Sequence, residues 1–479
     1  MTLSRHLLAI PVLVGLANPV CAATVADIAA AMGSVNVSTL RISGTGTFAI
    51  VGQSLRAGGE WPKFRIKQAE RVFDYANSAL AEDIVFLPPE GAPRGGGGQP
   101  FYTEQRRLNT MRGDAAWTGA GENATAAPAQ IAALQHELWI SPHGVIKAAL
   151  NAGTTASTGA DGRTTFVVER AGRFKAQATA NAANLIERVV SSIANPVLGD
   201  MTVETTYADY RTVEGVQVPT KIVQRVLGHP TFEMAVVDIN LNAPPVTAPA
   251  QIRPAAPVPA ATIEKVAEGV WFVAGASHHS AAIEMADHIV LVEAPLGDAR
   301  TNEVIDLVKK TIPNKPLRIV VNTHHHFDHS GGLRAAAAEG MTILTHEFNR
   351  PFFEAAYAAP RTLAPDRLAR ANGNARFQTM GDKMVLSDST RTLELLALKD
   401  NTHADGLIVG YLPKEKILIV ADAFSPRTEV VRTPERLNPF TTNLWDNIQR
   451  LKLDVATVLP IHGRYVPVRE LRIEVGQNN

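Results

Sequence analysis

Cysteine is almost absent: Cys21 is the only one in 479 residues, so no disulfide can hold the fold together. A charge excess of either sign is missing as well, with 46 basic and 46 acidic residues. Because no basic run is present to follow a phosphate backbone, the composition argues against nucleic acid as a partner. Long apolar runs are lacking, and nothing in the body of the chain approaches the roughly 20 residues that a bilayer-spanning helix needs. The apolar stretch from Leu7 to Ala17 is shorter. It follows Arg5 and precedes the small residues Val20, Ala22 and Ala23, a pattern that predicts a secretory signal peptide over 1–23, cleaved after Ala22 or Ala23. Cleavage there removes Cys21, and Asn18-Pro19-Val20 before it fits lipoprotein processing poorly. The expected location is periplasmic or secreted, with no integral membrane segment in the mature chain.

What remains is long enough for two cores. Residues 24–242 contain runs such as Leu40 to Ile50, Phe64 to Gln68, Thr164 to Val168, Met201 to Tyr207 and Val216 to Val226, in which apolar and polar residues mostly alternate. A period of two predicts antiparallel sheet with one buried face, here a β-rich, half-barrel-like domain with a helix over Pro128 to Leu138. The glycine-rich stretch Pro88 to Pro100 lacks the Lys-Ser/Thr and the strand-loop-helix setting of a phosphate cradle and reads as a hairpin tip or lid. Residues 243–262 are rich in proline and alanine, a semi-rigid spacer. Residues 263–479 then alternate strand-like and helix-like segments, as an α/β domain does.

The densest chemistry lies in that last part. His324-His325-His326-Phe327-Asp328-His329 follows Leu317 to Asn322, a β-branched run typical of a strand buried on both faces, and precedes a helix opened by Ser330 and closed by Gly340. Imidazole and carboxylate are the usual ligands of a catalytic Zn²⁺, and the alternate spacing of His324 and His326 lets both leave an extended segment on one side. His403, Asp422 and His462 each follow or border a further apolar run.

The pattern H-x-H-x-D-H, then His403, Asp422 and His462, resembles the metallo-β-lactamase superfamily over residues 263–479. The resemblance implies an αββα sandwich with one metal on His324, His326 and His403, a second on Asp328, His329 and His462, and Asp422 bridging them. It also implies two Zn²⁺ per chain, iron and manganese being the other candidates. Two adjacent dications acidify a shared water and polarise the bond under attack; Asp328 would orient the resulting hydroxide and pass a proton to the leaving group. The chain departs from many members in having Glu293 where an Asp-x-Gly stands, and the lack of cysteine excludes the thiolate-containing site of some true β-lactamases of this fold. His278 and His279, in a loop that borders the cleft in the family, are candidates for substrate contact, as are Arg427 and Tyr465. Asp405, two residues after His403, is the candidate to hydrogen-bond that ligand and fix its tautomer. His325 is expected to point away from its neighbours, and His346 reads equally as core or as cleft wall.

The combined reading is an exported dinuclear zinc hydrolase that cleaves an ester, thioester, lactone or amide of a small molecule; a homo-oligomer is compatible with it. Two alternatives stand beside it: a mononuclear iron enzyme acting on a sulfur compound, similar to persulfide dioxygenases, and a non-catalytic periplasmic binding protein.

Overall fold

The computed structural model describes residues 23–96, 100–170, 174–427 and 436–477. The expected signal peptide, apart from Ala23, lies outside the described residues, and so do Cys21 and residues 97–99 of the glycine-rich loop.

The first described element is a helix, Val25–Met32, opened by a capping box in which Thr24 and Asp27 satisfy each other's backbone N–H groups. A single antiparallel sheet of thirteen strands follows, in which the first strand, Thr39–Ala49, pairs with the last, His229–Leu241, at the middle of the sheet. Alternation works as the sequence predicts: in Lys63–Asp74, Phe64 and Ile66 are buried between exposed Lys63, Arg65 and Lys67. The phase then slips to Ala69, across a bulge between Ile66 and Gln68 in the pairing with Ala79–Phe86. The buried face packs on Val25–Met32 and on two further helices, Ile131–Ile140 and Pro142–Asn151, in one core that includes Ile28, Leu138, Ile146, Ile66 and Phe73. The expected helix over Pro128 to Leu138 is thus found, preceded by a single 3₁₀ turn at Pro128–Gln130.

The proline-rich stretch does more than space. Val246 N–H donates to Asp74, Arg253 N–H donates to the Ala124 carbonyl, and Ala126 N–H donates to the Arg253 carbonyl. Residues between the prolines keep both backbone groups and use them against the N-terminal sheet.

Beyond it lie two more sheets. The seven-stranded one runs Thr262–Ala267, Val270–Ala274, Ser280–Glu284, Ile289–Val292, Leu317–Val321, Thr342–His346 and Arg376–Met380, and its last four strands are parallel. The six-stranded one runs from Lys383–Ser387 to Val466–Pro467 and contains the parallel pair Ile417–Val420 and Thr457–Pro460. Val292 and Val321 of the first share a core with Leu395, Ile419 and Leu459 of the second. Leu291 and Val320 face the other way, onto helices Asp298–Thr311 and Leu333–Ala338. On the far side of the six-stranded sheet, Leu418 and Val458 pack on helices Pro439–Leu451 and Val468–Glu474. Double burial explains why these strands read as continuous apolar runs. Among the described residues no helix is long and apolar enough to cross a membrane.

Candidate metal centre

Strand ends deliver the site. His324 and His326 leave the loop after Leu317–Val321, and the His326 carbonyl accepts from the N–H groups of His329 and Ser330, which starts the short helix Phe327–Ser330 carrying Asp328 and His329. Val420 and Pro460 are register partners, so Asp422 and His462, each two residues further on, emerge side by side. His403 sits in the loop before Ile408–Leu412, where the Asn401 side chain accepts from the N–H groups of His403 and Ala404 and sets the turn. The loop after Leu317–Val321 is tied down by Asn322 donating to the His324 carbonyl and by Ser330 donating to the carbonyls of His325 and His326.

Ligand atoms of His324, His326, His403 and Asp422 all lie within 4.8 Å of one another, as do those of Asp328, His329 and Asp422, and those of His278, His329 and His462. His324 Nε2 is 3.3 Å from His403 Nε2, and His329 Nε2 is 3.3 Å from His462 Nε2. Two nitrogens bound to one tetrahedral cation at about 2.0–2.1 Å stand roughly 3.3 Å apart, so these spacings fit a cation between each pair. The two oxygens of Asp422 divide between the groups: Oδ1 is 2.8 Å from His329 Nε2 and 2.9 Å from His462 Nε2, and Oδ2 is 3.1 Å from His403 Nε2. Among the described residues His326 Nδ1 and Asp422 Oδ2 are buried without a hydrogen-bond partner, as expected of atoms meant for a cation.

The outward nitrogens of four of these histidines have partners, whereas His403 Nδ1 is buried without one among the described residues. His326 Nε2 bonds the Ser54 carbonyl at 2.9 Å, His329 Nδ1 bonds Glu293 Oε2 at 2.8 Å, His462 Nδ1 bonds the Ser277 carbonyl at 2.9 Å, and His324 Nδ1 lies 3.0 Å from Thr323 Oγ1. Such partners orient metal ligands and choose the nitrogen that faces inward. Burial, reinforced by neighbouring imidazoles, holds His324 and His326 well below the usual histidine range. For Asp422 burial works the other way, but His329 and His403 outweigh it and keep the carboxyl well below its ordinary value. Neutral nitrogen and ionised oxygen are the forms a cation needs. At His329 burial is outweighed by Asp422 and Glu293, which raise its pKa.

His278 is brought into the cluster, with Nε2 3.2 Å from Asp328 Oδ2. The other candidates are placed elsewhere. His279 is buried against Phe272 and accepts from the Gly275 N–H. The Asp405 carboxylate turns to Arg56 at 2.6 Å, which corrects the expected bond to His403. Arg427 Nε pairs with Glu474 at 2.8 Å, and the Tyr465 hydroxyl donates to Glu264 at 2.5 Å. His325 reaches Ser54, and His346 is buried and accepts from the Phe348 N–H. Three contributors escaped the sequence reading: Ser54, Gln53, which donates to Asp328 Oδ1 at 2.8 Å, and Glu293 as a partner of His329.

A family model described as "Metallo-beta-lactamase superfamily" matches residues 277–462. Among curated proteins, the 2,4-dinitroanisole O-demethylase subunit alpha of Nocardioides sp. (strain JS1661) is 25% identical over 169 residues, 34% of this chain. The match spans 46% of that relative's length, about half. Among solved structures, a metallo-beta-lactamase from Pontibacter korlensis aligns with 45% of this chain and 97% of its own, at 19% identity and a TM-score of 0.35. The metallo-beta-lactamase FIM-1 from Pseudomonas aeruginosa, in its mono-zinc form, aligns with 45% of this chain and 93% of its own, at 19% identity and a TM-score of 0.34.

Proposed function

We infer that this chain, whose residues 277–462 belong to the metallo-β-lactamase superfamily, is a metal-dependent hydrolase of small molecules, with zinc as the cation. The observation that carries the reading is the division of Asp422 between two groups of histidines, each with the spacing of a cation's ligands. His324, His326 and His403 would hold one ion, Asp328, His329 and His462 the other. Bound there, two dications acidify water and polarise the bond under attack. Asp328, partly exposed at the open side of the cluster, is the residue able to orient that water and to carry a proton to the leaving group. The layering of helices outside two face-to-face sheets supports an αββα arrangement, and the N-terminal sequence supports export to the periplasm or beyond.

Esters, thioesters, lactones and amides are the proposed substrate classes. The printed name of the Nocardioides relative adds one aryl ether to test, since hydroxide attack on a nitro-activated ring carbon releases methanol. The experiment is metal analysis of the purified protein, followed by turnover of ester, lactone, thioester, β-lactam and 2,4-dinitroanisole panels with and without chelator. Close to two zinc per chain, about one in His462→Ala, and chelator-sensitive turnover support the proposal. One iron per chain, unchanged in His462→Ala, or turnover indifferent to chelator overturns it.

A further inference from the structure

We propose that Gln53, brought to the metal centre by residues Gly52 to Arg56 of the N-terminal half, is a positioning residue that holds Asp328 for the second cation; the proposal rests on the metal-hydrolase reading above. Asp328 is the least enclosed of the acidic ligands, with 29% of its side chain exposed against 1% for Asp422. A carboxylate in that situation turns freely unless it is bonded. Gln53 Nε2 donates to Oδ1 at 2.8 Å and His278 Nε2 faces Oδ2 at 3.2 Å. Each oxygen therefore keeps a lone pair for a cation while the plane of the carboxylate is fixed.

The burial of Gln53 makes sense only through this contact. The residue is 7% exposed, and among the described residues its own Oε1 is buried with no partner. Leaving an amide oxygen unpaired in the interior costs free energy. The hydrogen bond to Asp328 is the return on that cost.

Neighbouring residues place the amide. Gly52 accepts from the Phe327 N–H at 3.2 Å and has a φ of 87°; a Cβ there would stand 2.5 Å from the Phe327 ring, so glycine alone permits the approach. The Gln53 carbonyl accepts from Gly96 N–H at 2.8 Å. The Ser54 carbonyl bonds His325 Nε2 and His326 Nε2, both at 2.9 Å. The Leu55 carbonyl accepts from Asp405 N–H at 2.7 Å, and Arg56 pairs with the Asp405 side chain. Five consecutive residues are thus bonded to the two loops that carry His326, Asp328 and His403.

The test titrates Co²⁺ into the metal-free full-length protein, followed by calorimetry and by visible absorption, in wild type, Gln53→Met and Gln53→Leu. Both substitutions keep approximate size and remove the donor, and the melting temperature of each metal-free variant checks that it folds. The expected result is an unchanged first equivalent and a second equivalent about 10–100-fold weaker, the usual effect of losing a partner of a metal ligand, with a changed second-site spectrum. A folded variant that binds the second equivalent with wild-type affinity and spectrum overturns the proposal. A wild-type protein that takes up no Co²⁺ or Zn²⁺ overturns the metal reading itself.

Discussion

Glu293 stands where the resemblance leads one to expect aspartate, and it does so in a left-handed backbone conformation, φ 72°, fully buried. That conformation costs a non-glycine residue on the order of 1 kcal/mol or more. Its N–H donates to the Val321 carbonyl, Oε1 accepts from the Thr323 N–H at 2.7 Å, and Oε2 bonds His329. Glu293→Ala leaves two buried donors unpaired and is expected to lower stability by about 2–4 kcal/mol, read by urea denaturation of the metal-free protein. In the N-terminal half, Glu137 offers a prediction on pH. Burial alone would raise its pKa, but His136, Arg71 and Gln224 outweigh that and lower it to about 2. A depressed carboxyl adds stability above its unfolded value, about 4.5, and the contribution is lost as pH falls towards 2. Glu137→Gln should therefore flatten the acid limb of the stability curve between those values while lowering stability at neutral pH. The histidines and aspartates of the metal cluster were legible because they cluster at the ends of apolar runs. Gln53 was not, since it reaches Asp328 across 275 positions and no local pattern marks it. Ser54 acts through a carbonyl, which every residue has. Arg427 and Tyr465 stand out in the sequence for closeness along the chain to Asp422 and His462, and in the structure each has a carboxylate partner, Glu474 and Glu264.

Strand Thr39–Ala49 shows what an element can hide. It joins both wings of the thirteen-stranded sheet and carries irregular register with each neighbour around Ser43 to Gly46. A Cβ at Gly46 would stand 1.8 Å from the Glu233 carbonyl oxygen, and one at Gly44 2.0 Å from that of Ala235. Backbone must shift to admit either, so Gly46→Ala is expected to cost about 2 kcal/mol or more, measured by thermal unfolding. The glycines were visible in the sequence, but bulges depend on the partner strand, which it does not reveal. Strands with clean alternation or double burial were readable. Gln105–Arg112 was not, because two arginines and an asparagine interrupt its pattern, and only its Asn109 to Met111 end is buried. The proline-rich stretch was readable as a break in pattern, whereas its bonds to Asp74 and Ala124 depend on where the sheet happens to lie.

At the scale of the whole molecule the two halves are joined by more than the residues around Gln53. Trp61, Leu198, Met201, Val203 and Val226 pack with Ala356, Phe352 and Tyr357 in one apolar cluster. Arg361 donates to the carbonyls of Asn195, Pro196 and Val197, and Asp200 accepts from Thr362 and Leu363. Shared burial of this kind couples unfolding. Calorimetry is expected to show a single transition that rises on metal loading, with the fluorescence of Trp139 and Trp445, one in each half, changing together in single-tryptophan variants. Two separated transitions would count against this coupling. The unequal enclosure of the cluster carries a consequence for kinetics. The side chains of His324 and His403 have no exposed surface, while His462 is 23% exposed and Asp328 29%. On the two-cation reading proposed above, a centre enclosed on one side and open on the other would fill and empty in sequence, so a chelator should strip the two ions in a fast and a slow phase: the last cation to enter is the first to leave, and the inner one waits behind it.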